Sequence, residues 1–272
     1  MGAIGQMFFS VGLLICAAGV NPHGNIGGIE ASLSESPEVM YSAEQERVVV
    51  SEAFAEAEGK RYDRKLAAPM LSSELDTSVL ARFDLGADYF LGKMDDRDYK
   101  RAFESFLEAA EQGLAAAQYN LGLCYQGGSG VDRDYVEAAK WFRRAAEQGD
   151  AEAQYTLGLC YYNGHGVSQN YAEAEKWLCK AAEQGNVEAQ YSMGWFYYYG
   201  QVVPQNYEEA VKWLSKGAEQ GNAEAQCMLG VCYYAGRGVL QDYEEAVKWF
   251  RLSAEQGDSL AKEALKELGE SL

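Results

Sequence analysis

A chain of 272 residues with 48% hydrophobic content is long enough to bury a sizeable core and to hold one or two domains. Forty-one acidic against 23 basic side chains leave a formal charge of −18. That charge repels nucleic-acid phosphate and anionic lipid headgroups, because binding either requires cationic patches, and it admits neutral or basic protein partners.

The first charged side chain is Glu30. Before it, Met7 to Val20, "MFFSVGLLICAAGV", is a fourteen-residue apolar run ending in small residues. A membrane span needs about 20 residues, so the run is too short to be one. Ala17 and Gly19 are placed for A-x-A-like cleavage, which suits a secretory signal, although no Lys or Arg precedes the run. Residues 1–20 therefore read as a signal peptide or a hydrophobic N-terminal tail. The first reading places the protein in the periplasm or outside the cell, the second in the cytoplasm. Residues 21–77 are rich in Ser, Glu and Ala and punctuated by Pro22, Pro37 and Pro69. They read as a flexible acidic linker in which residues 42–60 could form a polar helix.

From Leu114 the chain repeats itself every 36 residues without a gap. The copies read "LAAAQYNLGLCYQGGSGVDRDYVEAAKWFRRAAEQG", "DAEAQYTLGLCYYNGHGVSQNYAEAEKWLCKAAEQG", "NVEAQYSMGWFYYYGQVVPQNYEEAVKWLSKGAEQG" and "NAEAQCMLGVCYYAGRGVLQDYEEAVKWFRLSAEQG". A degenerate copy precedes them and a truncated one follows. A repeat domain over residues 78–272 thus divides into 78–113, 114–149, 150–185, 186–221, 222–257 and a capping helix over 258–272. Ala153, Leu157 and Tyr161 recur at spacing four, and Ala174, Trp177, Leu178 and Ala181 at three and four, which predicts two helices per copy. Asp134…Glu137, Asn170…Glu173, Asn206…Glu209 and Asp242…Glu245 stand at the join, where a capping box would open the second helix. Gly149, Gly185, Gly221 and Gly257 end the second helices.

Between the two helices lie Gly128-Ser129-Gly130, Gly164-His165-Gly166 and Gly236-Arg237-Gly238, with Gly200-Gln201-Val202 in the third copy. A phosphate-cradling loop would need a strand before it and a third glycine or a Lys-Ser after it. Neither is present, so these are helix-reversing turns, and His165 reads as a solvent-exposed turn residue.

The recurring "AEAQYxLGxxYxxGxGVxxDYxEAxKWxxKAAEQG" resembles the Sel-one-like repeat family, a relative of the tetratricopeptide repeats. The resemblance covers Ser78 to about Leu268. It implies an all-α fold, an α-solenoid of antiparallel helix pairs forming a TPR-like superhelix, and a non-enzymatic scaffold or adaptor for protein complexes. Some exported members staple neighbouring helices through cysteine pairs, but the matching places here hold Ala182 and Gln190. Equivalent cysteines on stacked hairpins, Cys124, Cys160 and Cys232, stand about 9–10 Å apart at helix-packing distance, beyond disulfide reach, and read as buried fillers.

No catalytic residue, metal site or cofactor motif emerges. Ser259-Leu260-Ala261-Lys262 has the Ser-x-x-Lys form, and the family resemblance connects that form to cell-wall or β-lactam-like substrates. It has no companion motif, so an enzyme is the alternative reading, alongside a purely structural spacer. On a helical wheel Tyr119, Tyr155, Tyr191 and Cys227 form one stripe that reads as packing. Beside it lie Tyr162, Tyr198 and Tyr234, with Leu123, Leu159, Trp195 and Val231 next to them. Rigid aromatic area with a polar handle suits a concave partner-binding surface. The expected contact residues for a protein or peptide partner are Tyr162, Trp195, Tyr198, Tyr199 and Tyr234.

Overall fold

The computed structural model of the protein describes residues 77–92 and 98–270. The signal or tail at residues 1–20 and the linker up to residue 76 lie outside the described residues. Among the described residues there are eleven helices and no strand. They are α1 (Thr77–Leu91), α2 (Tyr99–Glu111), α3 (Ala115–Gly127), α4 (Tyr135–Glu147), α5 (Ala151–Asn163), α6 (Tyr171–Glu183), α7 (Val187–Tyr199), α8 (Tyr207–Glu219), α9 (Ala223–Ala235), α10 (Tyr243–Glu255) and α11 (Ser259–Glu267). This is an all-α, solenoid-class arrangement of helix pairs on a repeat of about 36 residues. The helices fall into two compact units, one ending at Asn186 and the other beginning at Val187.

In the N-terminal unit α1/α2, α3/α4 and α5/α6 are the packed pairs. In the C-terminal unit they are α7/α8 and α9/α10, followed by α11, which lies on α10. Each pair closes on a glycine inside its first helix. A Cβ on Gly158 would stand 2.6 Å from Leu178 Cγ, and one on Gly194 2.6 Å from Leu214 Cγ. The missing side chain lets the second helix bring a fully buried apolar residue, Leu178 or Leu214, against the first helix. The rest of the interior is small or aliphatic: Ala153, Leu157, Ala174, Leu178 and Ala181 are all fully buried. A single pair could not cover such faces, so they are covered by the next pair within each unit.

Helix starts follow the sequence reading in part. Asp134 and Asn170 accept from the amides two and three residues on, Val136 and Glu137 in one case and Ala172 and Glu173 in the other. The expected return bond from the glutamate does not form. The amide it would have reached already donates to a carbonyl of the preceding helix: Asp134 to Tyr125 and Asn170 to Tyr161 at 2.9 Å, and likewise Asn206 to Tyr197 and Asp242 to Tyr233. The glutamates turn instead to the lysine three residues on, as Glu137 does to Lys140 and Glu209 to Lys212. The hairpin is therefore tied backbone to backbone at the point where it reverses.

The second glycine of the turn has a task beyond its positive φ. A Cβ on Gly166 would lie 1.8 Å from the Tyr135 carbonyl oxygen, and one on Gly238 2.1 Å from that of Tyr207. Each such turn rests directly on the main chain of the pair before it. The middle residue of the turn reaches back as well. The ring of His165 lies 5.6 Å from that of Tyr135, although the histidine itself is exposed.

A ladder of buried glutamines runs through both units. Gln154 donates to the Ala146 carbonyl at 3.1 Å and accepts from Gln184 at 2.7 Å. Gln226 does the same with Ala218 and Gln256 at 3.1 and 2.8 Å. One amide thereby joins three helices while satisfying its own buried polar atoms. The cysteines at 124, 160, 227 and 232 are buried and Cys179 is half-buried, and none of these five forms a disulfide.

Candidate functional site

Helix α7 carries Glu188, Tyr191, Ser192, Trp195 and Tyr199 at spacings of three and four, so all five share one face. Tyr191 and Ser192 are buried, while Glu188, Trp195 and Tyr199 keep part of their surface. The Trp195 and Tyr199 rings lie against each other with centroids 4.7 Å apart and planes tilted by 44°, and Phe196 meets Trp195 edge-on at 5.7 Å. Burial pushes the Tyr199 hydroxyl well above its ordinary range, and the neighbouring Tyr198 adds to the shift. Tyr199 thus stays a neutral donor and acceptor throughout the physiological range.

Tyr198 departs from its expected role. It is 1% exposed, with its ring packed edge-on against Tyr199 at 5.0 Å and Tyr207 at 5.2 Å. Arg237, from the turn after α9, donates to its hydroxyl at 2.7 Å and spreads its guanidinium over both Tyr198 and Tyr207. Burial pushes the Tyr198 hydroxyl up to about 12 in spite of that cation. Tyr198 is an interior residue roofed by the next turn, and it offers no contact area to a partner.

Tyr162 and Tyr234, at the same repeat position, are half-buried. Tyr162, in the N-terminal unit, lies 5.6 Å from Tyr171. Tyr234 meets Tyr243 at 5.4 Å, where Gln241 bonds both the Tyr234 carbonyl and the Tyr243 hydroxyl. Of the five expected contact residues, the structure brings Trp195 and Tyr199 together, sets Tyr234 beside Tyr243 and buries Tyr198. The stripe of Tyr119, Tyr155, Tyr191 and Cys227 is buried throughout.

Sequence reasoning passed over the carboxylates of this face. Glu224, which opens α9 as Glu188 opens α7, is half-buried. Burial raises its pKa, and Asp258 and Glu188 raise it further. Asp258 caps α11 by accepting from the Ala261 amide at 2.7 Å, and its charge helps to hold the buried Cys227 thiol protonated. The legible signal was the helix-face spacing of Glu188 to Trp195 and Tyr199. Ser259 and Lys262, by contrast, lie exposed on the short α11.

A family model for the Sel1 repeat matches residues 79–114, 115–150, 151–186, 187–222 and 223–258, one residue later than the frame read from the sequence. A protective antigen of uropathogenic Escherichia coli strains that displays an SLR fold is similar at 33% identity with a TM-score of 0.68. The match covers 85% of this chain and 50% of that one, so the chain spans half the length of the E. coli protein. A Sel1 repeat protein from Oxalobacter formigenes is 34% identical with a TM-score of 0.66, over 80% of this chain and 89% of that one. No curated protein matches the sequence.

Proposed function

This chain belongs to the Sel1 repeat family, whose repeats commonly serve as protein–protein interaction modules, and from that premise we propose that it is a non-enzymatic scaffold holding a protein or peptide segment. The segment docks on the aromatic face of the C-terminal unit, with Trp195 and Tyr199 as anchors and Tyr234 as a flanking contact. Tyr162 offers a separate contact in the N-terminal unit.

One observation carries the reading: the close-packed, half-buried Trp195–Tyr199 pair. The sister copies hold Leu123, Leu159 and Val231 where Trp195 stands, and Gly127, Asn163 and Ala235 where Tyr199 stands. Stacking of the repeats therefore does not require aromatic rings at these places. A rigid, partly wet aromatic pair is the kind of surface that anchors a partner segment.

Full-length wild type and Trp195→Ala/Tyr199→Ala, checked for equal helical content by circular dichroism, are used to capture partners from extracts of the native cell. Loss of a captured protein with the double variant is the expected outcome. Capture unchanged by the double substitution would sink the reading.

A further inference from the structure

We infer that Tyr234 and Tyr243 form a seat for an arginine side chain of a partner segment, one in which a glycine follows the arginine. The inference rests on the proposed role of the chain as the holder of a protein segment, and it does not need Trp195.

The seat has an occupied sister 36 residues earlier in the same unit. Tyr198, near the end of α7, and Tyr207, at the start of α8, meet edge-on with centroids 5.2 Å apart and planes at 69°. Tyr234 and Tyr243 hold the same places on α9 and α10 and meet at 5.4 Å and 69°. The backbone around the two pairs is matched as well. Gln205 donates to the Tyr198 carbonyl and Gln241 to the Tyr234 carbonyl, both at 2.8 Å, while the amides of Asn206 and Asp242 bond the Tyr197 and Tyr233 carbonyls at 2.9 and 3.0 Å. In the sister pair the guanidinium of Arg237 lies 5.5 Å from the Tyr198 ring centre and 5.4 Å from that of Tyr207, and donates to the Tyr198 hydroxyl at 2.7 Å. A pair of the same geometry can receive another arginine in the same way.

The second pair is open to a partner. Tyr198 is 1% exposed beneath Arg237, whereas Tyr243 is 54% exposed and Tyr234 is half-buried. Among the described residues no Lys or Arg lies over either ring: Arg237 is turned to the sister pair, and Lys248 bonds Glu245 just as Lys212 bonds Glu209 in the occupied copy. The neighbouring charge favours a cation. Asp242 stands where the sister has Asn206, and Glu244 and Glu245 follow Tyr243 as Glu208 and Glu209 follow Tyr207. Arginine suits the seat better than lysine, because its planar group lies on the rings while an N–H of its fork reaches the Tyr234 hydroxyl. The glycine follows from the same template. A Cβ on Gly238 would lie 2.1 Å from the Tyr207 carbonyl oxygen, so the residue after the arginine brings bare backbone to that place. Arg-Gly occurs in this chain only at Arg237-Gly238, which the sister pair already uses, so a different protein and not a second copy supplies it.

The test is selection of a displayed library of random twelve-residue peptides on the full-length protein. The selected peptides are then measured against wild type, Tyr243→Ala and Trp195→Ala, each verified as folded by circular dichroism, and are resynthesised with citrulline, the neutral isostere, in place of arginine. The expected result is a class of peptides that carries Arg-Gly and binds roughly tenfold more weakly or worse after either Tyr243→Ala or the citrulline exchange. Peptides that need Tyr243 but lack Arg-Gly, or that tolerate citrulline, overturn the inference. Peptides that need Trp195 and are indifferent to Tyr243 overturn it too, and leave the proposed function standing. Absence of any peptide that needs either residue overturns the inference and the proposed function together.

Discussion

Helices α5 and α7 are built on one frame, and they part where their neighbours stop constraining them. Both are thirteen residues long, and both bury an alanine, a glutamine, a tyrosine and a glycine in the same order: Ala153, Gln154, Tyr155 and Gly158 in α5, and Ala189, Gln190, Tyr191 and Gly194 in α7. Yet Leu159 and Asn163 of α5, neither of them fully buried, become Trp195 and Tyr199 in α7. A position that lies under another helix repeats, because a change there collides or leaves a void. A position at the rim is free to take the side chain that a partner needs.

The largest expected contrast is chemical. Burial pushes the thiols of Cys124, Cys160 and Cys232 up to about 12, so almost no thiolate is present in the folded protein at neutral pH. Among the repeat cysteines, the half-buried Cys179 should therefore be the one alkylated in the folded protein. Cys124, Cys160 and Cys232 should react only after unfolding, as mass spectrometry of alkylated peptides can read directly. Rapid native labelling of Cys160 would show that α5 is less tightly covered than described.

The turns give the next effect. Gly166→Ala drives a methyl into the Tyr135 carbonyl at a positive φ of 71°, and should cost about 3 kcal/mol or more in urea unfolding. Val202, at the matching place of the third copy, already carries a side chain, and Val202→Ala should cost less than about 1.5 kcal/mol. Equal losses at the two sites would mean that the second turn glycine has no special part in stacking.

A smaller loss is expected in the glutamine ladder. Gln154→Ala strands the Ala146 carbonyl and the Gln184 amide, and should destabilise by about 1–3 kcal/mol. Gln226→Ala should do the same in the C-terminal unit through Ala218 and Gln256. A clear difference between the two would show that the ladder supports one unit more than the other.

The smallest effect has the opposite sign. Glu224 has a raised pKa, so the folded state holds its proton more tightly than the unfolded chain does. Stability then falls as pH rises from the ordinary glutamate value through the raised one, and the cost is present in full at neutral pH. Glu224→Gln should leave the melting temperature at pH 7 unchanged or slightly higher and flatten its decline across that window. A marked fall in melting temperature would mean that the ionised carboxylate supports the fold.

Much of the fold was legible before any coordinates. The 36-residue period, two helices per copy, Asx caps at the joins and glycines at the ends are local features, set by side chains within about four residues of the groups they serve. The candidate site was less legible. Trp195 and Tyr199 stood out by departing from their sister copies, but Tyr198 shares a repeat position with Tyr162 and Tyr234 and still ends in the interior. What buries it is Arg237, 39 residues further along. The capping glutamates were misread for a related reason, since the amide they would have reached was already taken by a tyrosine carbonyl of the preceding helix.

The sequence alone thus determined the repeat, its helices and its turns, because four copies state the same short-range chemistry four times over. Only the tertiary structure decided which tyrosines are roofed and which glutamines join into a ladder. Those outcomes depend on groups some 30 to 39 residues apart meeting in space. The pattern within one copy does not contain the residue that the next copy will lay upon it.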